Sequence, residues 1–190
     1  PNIDQKVRID LDIMAGLAHL AEGIPEFVNY RPRATTAEFQ RTLVRELDFG
    51  REERNMLQFI QNFKDNSTIK IPRPFPKYCT SRVLTMERIQ GTKLSDREAI
   101  LAAGLDMQEL ARRGAELYLE MIFSHGFYHA DPHPGNILLL EGNIIGLLDF
   151  GMVGRLEESL REDIENMLLA IVNSDETTLT DVIIRIGDVP

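Results

Sequence analysis

The stretch Gly126-Phe127-Tyr128-His129-Ala130-Asp131-Pro132-His133-Pro134-Gly135-Asn136, with Asp149-Phe150-Gly151 beginning thirteen residues beyond Asn136, decides how this chain is read. Two glycines, two prolines, two histidines and an aspartate forbid a regular element over 126–136, so irregular backbone is expected between strongly apolar neighbours. Loops of this kind tend to carry function. Downstream, the apolar runs 137–140 and 144–148 flank Glu141-Gly142-Asn143, which predicts a hairpin with glycine in its turn, where positive φ is cheap. A hairpin brings its two ends together. Asn136 and Asp149 would then offer a carboxamide oxygen and a carboxylate to one hard cation, as magnesium on phosphates is held. Asp131, five residues before Asn136, is placed to orient or deprotonate an attacking hydroxyl or water, and the layout points to phosphoryl chemistry.

Outward from this loop the pattern is mostly helical. Residues 107–125 carry Leu110, Ala111, Leu117, Tyr118, Met121 and Ile122 and form a helix that Gly126 ends. Ser95 and Glu98 read as a capping box for a short helix, and Thr35 and Glu38 as another that opens a long charged helix over about 36–63. Residues 82–87 read as a strand, and Ile69-Lys70-Ile71, among three prolines, as a short edge strand. From Ile3 to Ala21 the apolar residues recur at helical spacing until Gly23 and Pro25 stop them. Two further helices are expected at about 157–173 and 177–186.

The 190 residues suit one domain or the greater part of one, and 43% hydrophobic with 27% charged residues can bury a real core. Thirty acidic against twenty-one basic residues leave a charge of −9, which repels polyanions and argues against nucleic acid as a partner. The single cysteine, Cys79, excludes an internal disulfide and zinc–thiolate sites, fits a reducing compartment, and reads as a small buried hydrophobe. No apolar run approaches the roughly 18 residues of a membrane span, and the first residues lack a basic segment followed by an apolar one. The expectation is a chain that neither crosses a bilayer nor is exported.

An Asp five residues before an Asn, followed across a hairpin by Asp-Phe-Gly, resembles the catalytic loop and metal segment of protein-kinase-like proteins. The wording of 126–136 is similar to the signature of the UbiB/AarF (ADCK-type) family of atypical kinases. Residues 46–55 resemble that family's acidic helix motif, 83–87 its hinge strand and 147–151 its metal segment, in the right order along nearly the whole chain. The resemblance implies an α+β protein-kinase-like fold: an incomplete N-lobe over 1–87, with a family-specific helix and the acidic helix, and a mostly helical C-lobe over 88–190. It makes Asp131 the catalytic aspartate, Asn136 and Asp149 the magnesium ligands, and Glu87, Arg88 and Ile89 the backbone that meets adenine. Glu52 becomes the helix glutamate that pairs with a phosphate-binding lysine, Glu46 and Asp48 the extra acidic motif, grouped with the cofactor-binding residues, which in relatives meets an N-terminal extension covering the substrate side of the pocket, and His133 a residue lining the pocket or orienting Asp131.

The implied cofactors are ATP and Mg2+. The implied role is an ATP-dependent kinase or ATPase serving ubiquinone or plastoquinone biosynthesis, on a small-molecule or lipid quinone precursor. It would lie in the cytoplasm or on an organellar matrix side, with peripheral membrane association through parts outside this chain. None of Lys6, Lys64, Lys70, Lys77 and Lys93 sits in a Val-Ala-x-Lys strand before the acidic helix, so the chain reads as a fragment, inactive alone, with Glu52 left unpartnered. After Pro134 the only proline is Pro190, so no Ala-Pro-Glu anchor follows Asp149, and 152–156 runs almost at once into a helix, which favours a small substrate over a peptide.

Other readings stay open on the residues alone. A small-molecule phosphotransferase of the aminoglycoside or choline kinase type shares the His-x-Asp-x-His-x-x-Asn pattern, and a nucleotide-binding pseudoenzyme would keep it without turnover. His129, Asp131 and His133 alternate as ligands of a zinc or iron hydrolase would, although His129 reads better as a brace for the loop. The charges of 45–54 alone would be a solvated helix face; Asp48 and Glu52, spaced as like-charged neighbours, are what raise the functional reading.

Overall fold

A computed structural model describes residues 3–187. The chain opens with α1 (Ile3–Glu22), stopped by Gly23, and a 3-10 turn (Pro25–Tyr30) leads into α2 (Pro32–Glu46), which packs along α1. The capping box expected at Thr35 is not used. Pro32, whose fixed φ suits a first helical position, starts α2, and the Thr35 hydroxyl donates to the Tyr30 carbonyl at 3.0 Å. Nor does one helix run over 36–63: α2 ends at Glu46 and α3 (Phe49–Asn62) starts afresh. Asp48 makes the break. Its Oδ1 accepts from the Gly50 N–H at 3.0 Å as a helix cap, while the Phe49 N–H donates to the Ser81 carbonyl.

Two small sheets follow. The larger has the order β1 (Ile69–Lys70), β5 (Ile144–Leu147), β4 (Ile137–Leu140), β2 (Thr92–Lys93), with β1 parallel to β5 and the other pairs antiparallel. β1 is an edge, as its prolines suggested. The smaller sheet pairs β3 (Phe127–His129) with β6 (Val153–Arg155), so the first residues of 126–136 form a short strand where irregular backbone was expected. Residues 82–87, expected as a strand, make only the isolated bridges Thr80 with Val83 and Pro74 with Met86, because the prolines beside them remove ladder donors. The short helix α4 (Arg97–Ala102) is capped by Asp96, which accepts from the Ala99 N–H, one residue beyond the serine expected to do so.

Helix α5 (Met107–Leu119) continues as a π-helical turn over Glu120–Ser124 and ends where expected, at Gly126. Glycine is needed there: φ is +56°, and a Cβ would lie 2.9 Å from the Leu156 carbonyl oxygen. The β4–β5 turn is pinned to α5 by Arg113, whose Nη1 donates to the Gly142 and Asn143 carbonyls at 2.8 Å each. The chain closes with α6 (Glu158–Val172) and α7 (Glu176–Gly187), packed on each other.

One buried cluster joins these parts. Met56 and Phe59 of α3, with Phe63 just after it, meet Leu110 and Leu117 of α5, Leu139, Ile145 and Leu147 of the hairpin, and Phe127 and Phe150 on the two segments around the loop. Phe59 is its centre, fully buried with ring centroids 4.8 Å from Phe127 and 5.2 Å from Phe150. Burying such a ring stabilises by about 1.5–3 kcal/mol. The core thus sits directly beneath the loop that carries Asp131, and α3 is packed against Asp149-Phe150-Gly151. Among the described residues no helix is long and apolar enough to cross a membrane.

Candidate active site

The hairpin brings the expected residues together. Ile137 faces Leu147 in register, and the Leu148 N–H donates to the Asn136 carbonyl at 3.0 Å, so Asn136 and Asp149 leave the same end of the ribbon. From the other side a 3-10 turn (Pro134–Asn136) folds Asn136 back onto Asp131: its Nδ2 donates to Asp131 Oδ2 at 3.1 Å. That bond fixes the amide, turning its Oδ1 away from Asp131. Asp149 Oδ1 accepts from the Gly151 N–H at 2.9 Å, which leaves Oδ2 to a ligand. All three side chains are half-buried.

His129 ties the two aspartate segments together. The ring is buried; its Nε2–H donates to the Asp149 carbonyl and its Nδ1 accepts from the Asp131 N–H at 3.2 Å. Burial holds its pKa below the ordinary value, against the opposing influence of the Asp149 carbonyl and the two aspartates, so the neutral ring persists. With both nitrogens engaged, His129 is a brace and not a metal ligand, and the hydrolase reading loses its first histidine. His133 is exposed, and its Nδ1 caps the 3-10 turn by accepting from the Gly135 N–H at 3.0 Å; no hydrogen bond to Asp131 forms among the described residues.

Glu52, expected to stand unpartnered, does not: its Oε1 accepts from the Phe150 N–H at 3.3 Å. Asp48 is not its neighbour on a helix face, because it caps α3 from outside the helix and lies 3.9 Å from Arg54. Asp48 lines a cavity of about 180 Å³ with Val7, Arg8 and Arg82, on the α1 side. The side chain of Glu46 lies outside the described residues. In the segment expected to form the hinge, the Glu87 N–H donates to the Arg73 carbonyl at 2.8 Å, and its carboxylate takes Lys70 Nζ on both oxygens at 2.9 Å. Lys70 holds the Glu87 pKa below the usual carboxylate range. Neither the Glu87 carbonyl nor the Ile89 N–H makes a backbone hydrogen bond among the described residues. Cys79 is half-buried, its Sγ 3.3 Å from the Phe75 carbonyl.

Two participants were not singled out from the sequence. Lys70 alternates with Ile69 and Ile71, which puts it on the sheet face away from the core and opposite Glu87; that alternation was legible. Asn55, 9% exposed, donates through Nδ2 to the Phe150 carbonyl at 2.7 Å. Its signal was a small amide three residues after Glu52 in an otherwise amphipathic helix.

The helical body, the small mixed sheet and the loop-hairpin arrangement define an α+β kinase-like domain. A family model, the ABC1 atypical kinase-like domain, matches residues 1–183, and the chain belongs to that family. It is 35% identical over 188 residues to the uncharacterized protein slr1919 of Synechocystis, covering 98% of this chain and 33% of that protein. It is 34% identical over 195 residues to a probable protein kinase UbiB of Aeromonas hydrophila, covering 100% of this chain and 36% of that protein. The chain thus spans about a third of the length of these curated relatives. Among solved structures, Rv3197 of Mycobacterium tuberculosis, in complex with erythromycin, aligns with a TM-score of 0.71 over 96% of this chain and 46% of that one, at 21% identity. That likeness supports the fold.

Proposed function

We propose that this domain binds ATP with Mg2+ in an atypical kinase or ATPase of the UbiB type, acting on a small-molecule or lipid substrate in quinone biosynthesis. The observation that carries the reading is the Asp131–Asn136 hydrogen bond at the mouth of the ribbon that also ends in Asp149. The donor set fits the ion: Asn136 Oδ1 and Asp149 Oδ2 are hard oxygens, and magnesium is usually held by one or two such groups plus phosphate oxygens and water. Among the described residues no cluster of three or more His, Cys, Asp or Glu forms a self-sufficient metal cage. When bound, the ion supplies charge neutralisation at the phosphates.

Asp131 receives or orients the proton of the attacking hydroxyl or water, and Asn136 fixes its carboxylate for that task. Backbone of Glu87–Ile89 meets the adenine, with 1–87 serving as the nucleotide-side lobe and 88–190 as the substrate-side lobe. The segment after Asp149 folds straight back onto the loop, the Ala130 N–H donating to the Met152 carbonyl, and β6 leads into α6 within three residues. No long platform for a peptide intervenes, which favours a small substrate. The names of the UbiB relatives, each a probable protein kinase, support the kinase assignment, and the quinone role follows from the family resemblance.

The test is ATP binding and turnover by the full-length protein with and without Mg2+. Asp149→Asn abolishes the magnesium-dependent part of binding, while Asp131→Asn keeps binding and lowers turnover by about 10²–10⁴-fold. If both variants retain magnesium-dependent binding and turnover, the assignment fails.

A further inference from the structure

The backbone around Phe150 is fixed by side chains from three elements. In the peptide unit joining Asp149 to Phe150, the carbonyl accepts from His129 Nε2 and the N–H donates to Glu52 Oε1 at 3.3 Å. In the next unit, joining Phe150 to Gly151, the carbonyl accepts from Asn55 Nδ2 at 2.7 Å and the N–H donates to Asp149 Oδ1 at 2.9 Å. All four polar groups are therefore partnered. The Phe150 ring between them is fully buried, 5.2 Å from Phe59 and 5.8 Å from His129.

We propose that Asn55 is a positioning residue for Asp149: its carboxamide grips the Phe150 carbonyl so that the following N–H stays on Asp149 Oδ1 and the second oxygen stays presented to the cation. A side chain that only filled space here would be apolar. Met56 and Phe59 are apolar and wholly buried beside it, whereas a buried carboxamide is tolerated only when hydrogen-bonded. Glu52 and Asn55 lie three residues apart on one face of α3, so both bonds to Phe150 depend on where α3 sits. The position of α3 thereby sets the orientation of the acidic ligand. The metal-binding part rests on the kinase or ATPase reading; the clamp itself does not.

The experiment compares the full-length protein with Asn55→Leu, which keeps the branched outline and removes the donor, and Asn55→Asp, which keeps the shape and, as the carboxylate, cannot donate. Amide hydrogen exchange across 148–153 accelerates about tenfold in both, while exchange across the buried turns of α5 is unchanged. The Mg2+ concentration for half-maximal ATP binding rises about tenfold, with binding in EDTA unaltered, since removing an orienting partner of a metal ligand typically weakens the metal 10–100-fold. Unchanged exchange at 148–153, or acceleration spread evenly through the chain, reduces Asn55 to a packing residue and overturns the proposal. Should Asn55→Leu fail to fold, Asn55→Asp decides by the same two measurements. Wild-type protein without magnesium-dependent ATP binding sinks the kinase or ATPase reading, and the exchange arm alone then decides the clamp.

Discussion

The ground around Asp149 and the α1–α2 pair treat their apolar side chains in opposite ways. Around Asp149, Phe59, Phe150, Met56 and Met121 are fully buried against one another, and the polar groups between them bond internally. On α1, among the described residues, only Leu11 and Ala18 are buried, while Ile13, Leu17 and Leu20 are more than half exposed. Both segments contain enough hydrophobic residues for a core. What differs is convergence: the loop, the hairpin, α3 and α5 supply surfaces to one another, whereas α1 and α2 supply one thin seam. The geometry of the site is thus determined by contacts inside the chain, and the outer face of α1 is not.

The contrast breaks most sharply at Phe59. Its ring packs on Phe127 before the loop and on Phe150 after the hairpin. Phe59→Ala removes the floor of the site and costs about 3–5 kcal/mol in urea unfolding. A cost under about 1 kcal/mol would mean that the dense region is looser than its burial indicates.

What the sequence made legible follows the same division. The loop and hairpin could be read because their chemistry-bearing residues are contiguous and the turn residues announce themselves: Gly142 and Asn143 both take positive φ. The identity of the cap on α4 was missed by one position, since Ser95 and Asp96 are both competent and only packing selects. The break between α2 and α3 was hidden because Asp48 looks like one more helix charge until its side chain is seen on the Gly50 N–H. Least legible were the bonds between distant positions. Asn55 and Phe150 are 95 residues apart, and Lys70 and Glu87 are 17, so no local pattern links them. Glu52 was expected to stand alone for the same reason: its partner is a backbone amide nearly a hundred residues away.

A smaller effect separates the regions by pH. Burial lowers the His129 pKa in the folded chain, while the unfolded chain titrates near 6.5. Between the two values the unfolded state binds more protons, so this contribution is whole above about pH 6.5 and is lost as the pH falls below it. The slope is at most about 1.4 kcal/mol per pH unit. Glu87, held low by Lys70, contributes with the same sign but acts only below its ordinary 4.5, leaving the window from 6.5 to about 5 to the imidazole. Unfolding free energies at pH 7.5, 6.0 and 5.0 therefore decline for the wild type, and His129→Asn, although weaker throughout, declines less steeply over that window. Parallel declines would show that the buried ring accepts a proton without penalty.

The smallest expected effect probes the other side of the comparison. Leu20 is 71% exposed on α1, and glutamine has nearly the helix propensity of leucine, so Leu20→Gln exchanges an apolar contact with water for a polar one. If the outer face of α1 faces solvent, unfolding free energy changes by no more than about 0.5 kcal/mol, the usual range for surface substitutions. Leu17→Gln, at a position 61% exposed one turn earlier, behaves alike. A loss above about 1.5 kcal/mol at either position means that something covers this face when the protein is folded. Its size would then report how much of the leucine is removed from water, at about 25 cal/mol per Å² of apolar surface. Such a loss would put α1 in the same physical class as α3, with its partner surface supplied from beyond the contacts seen here.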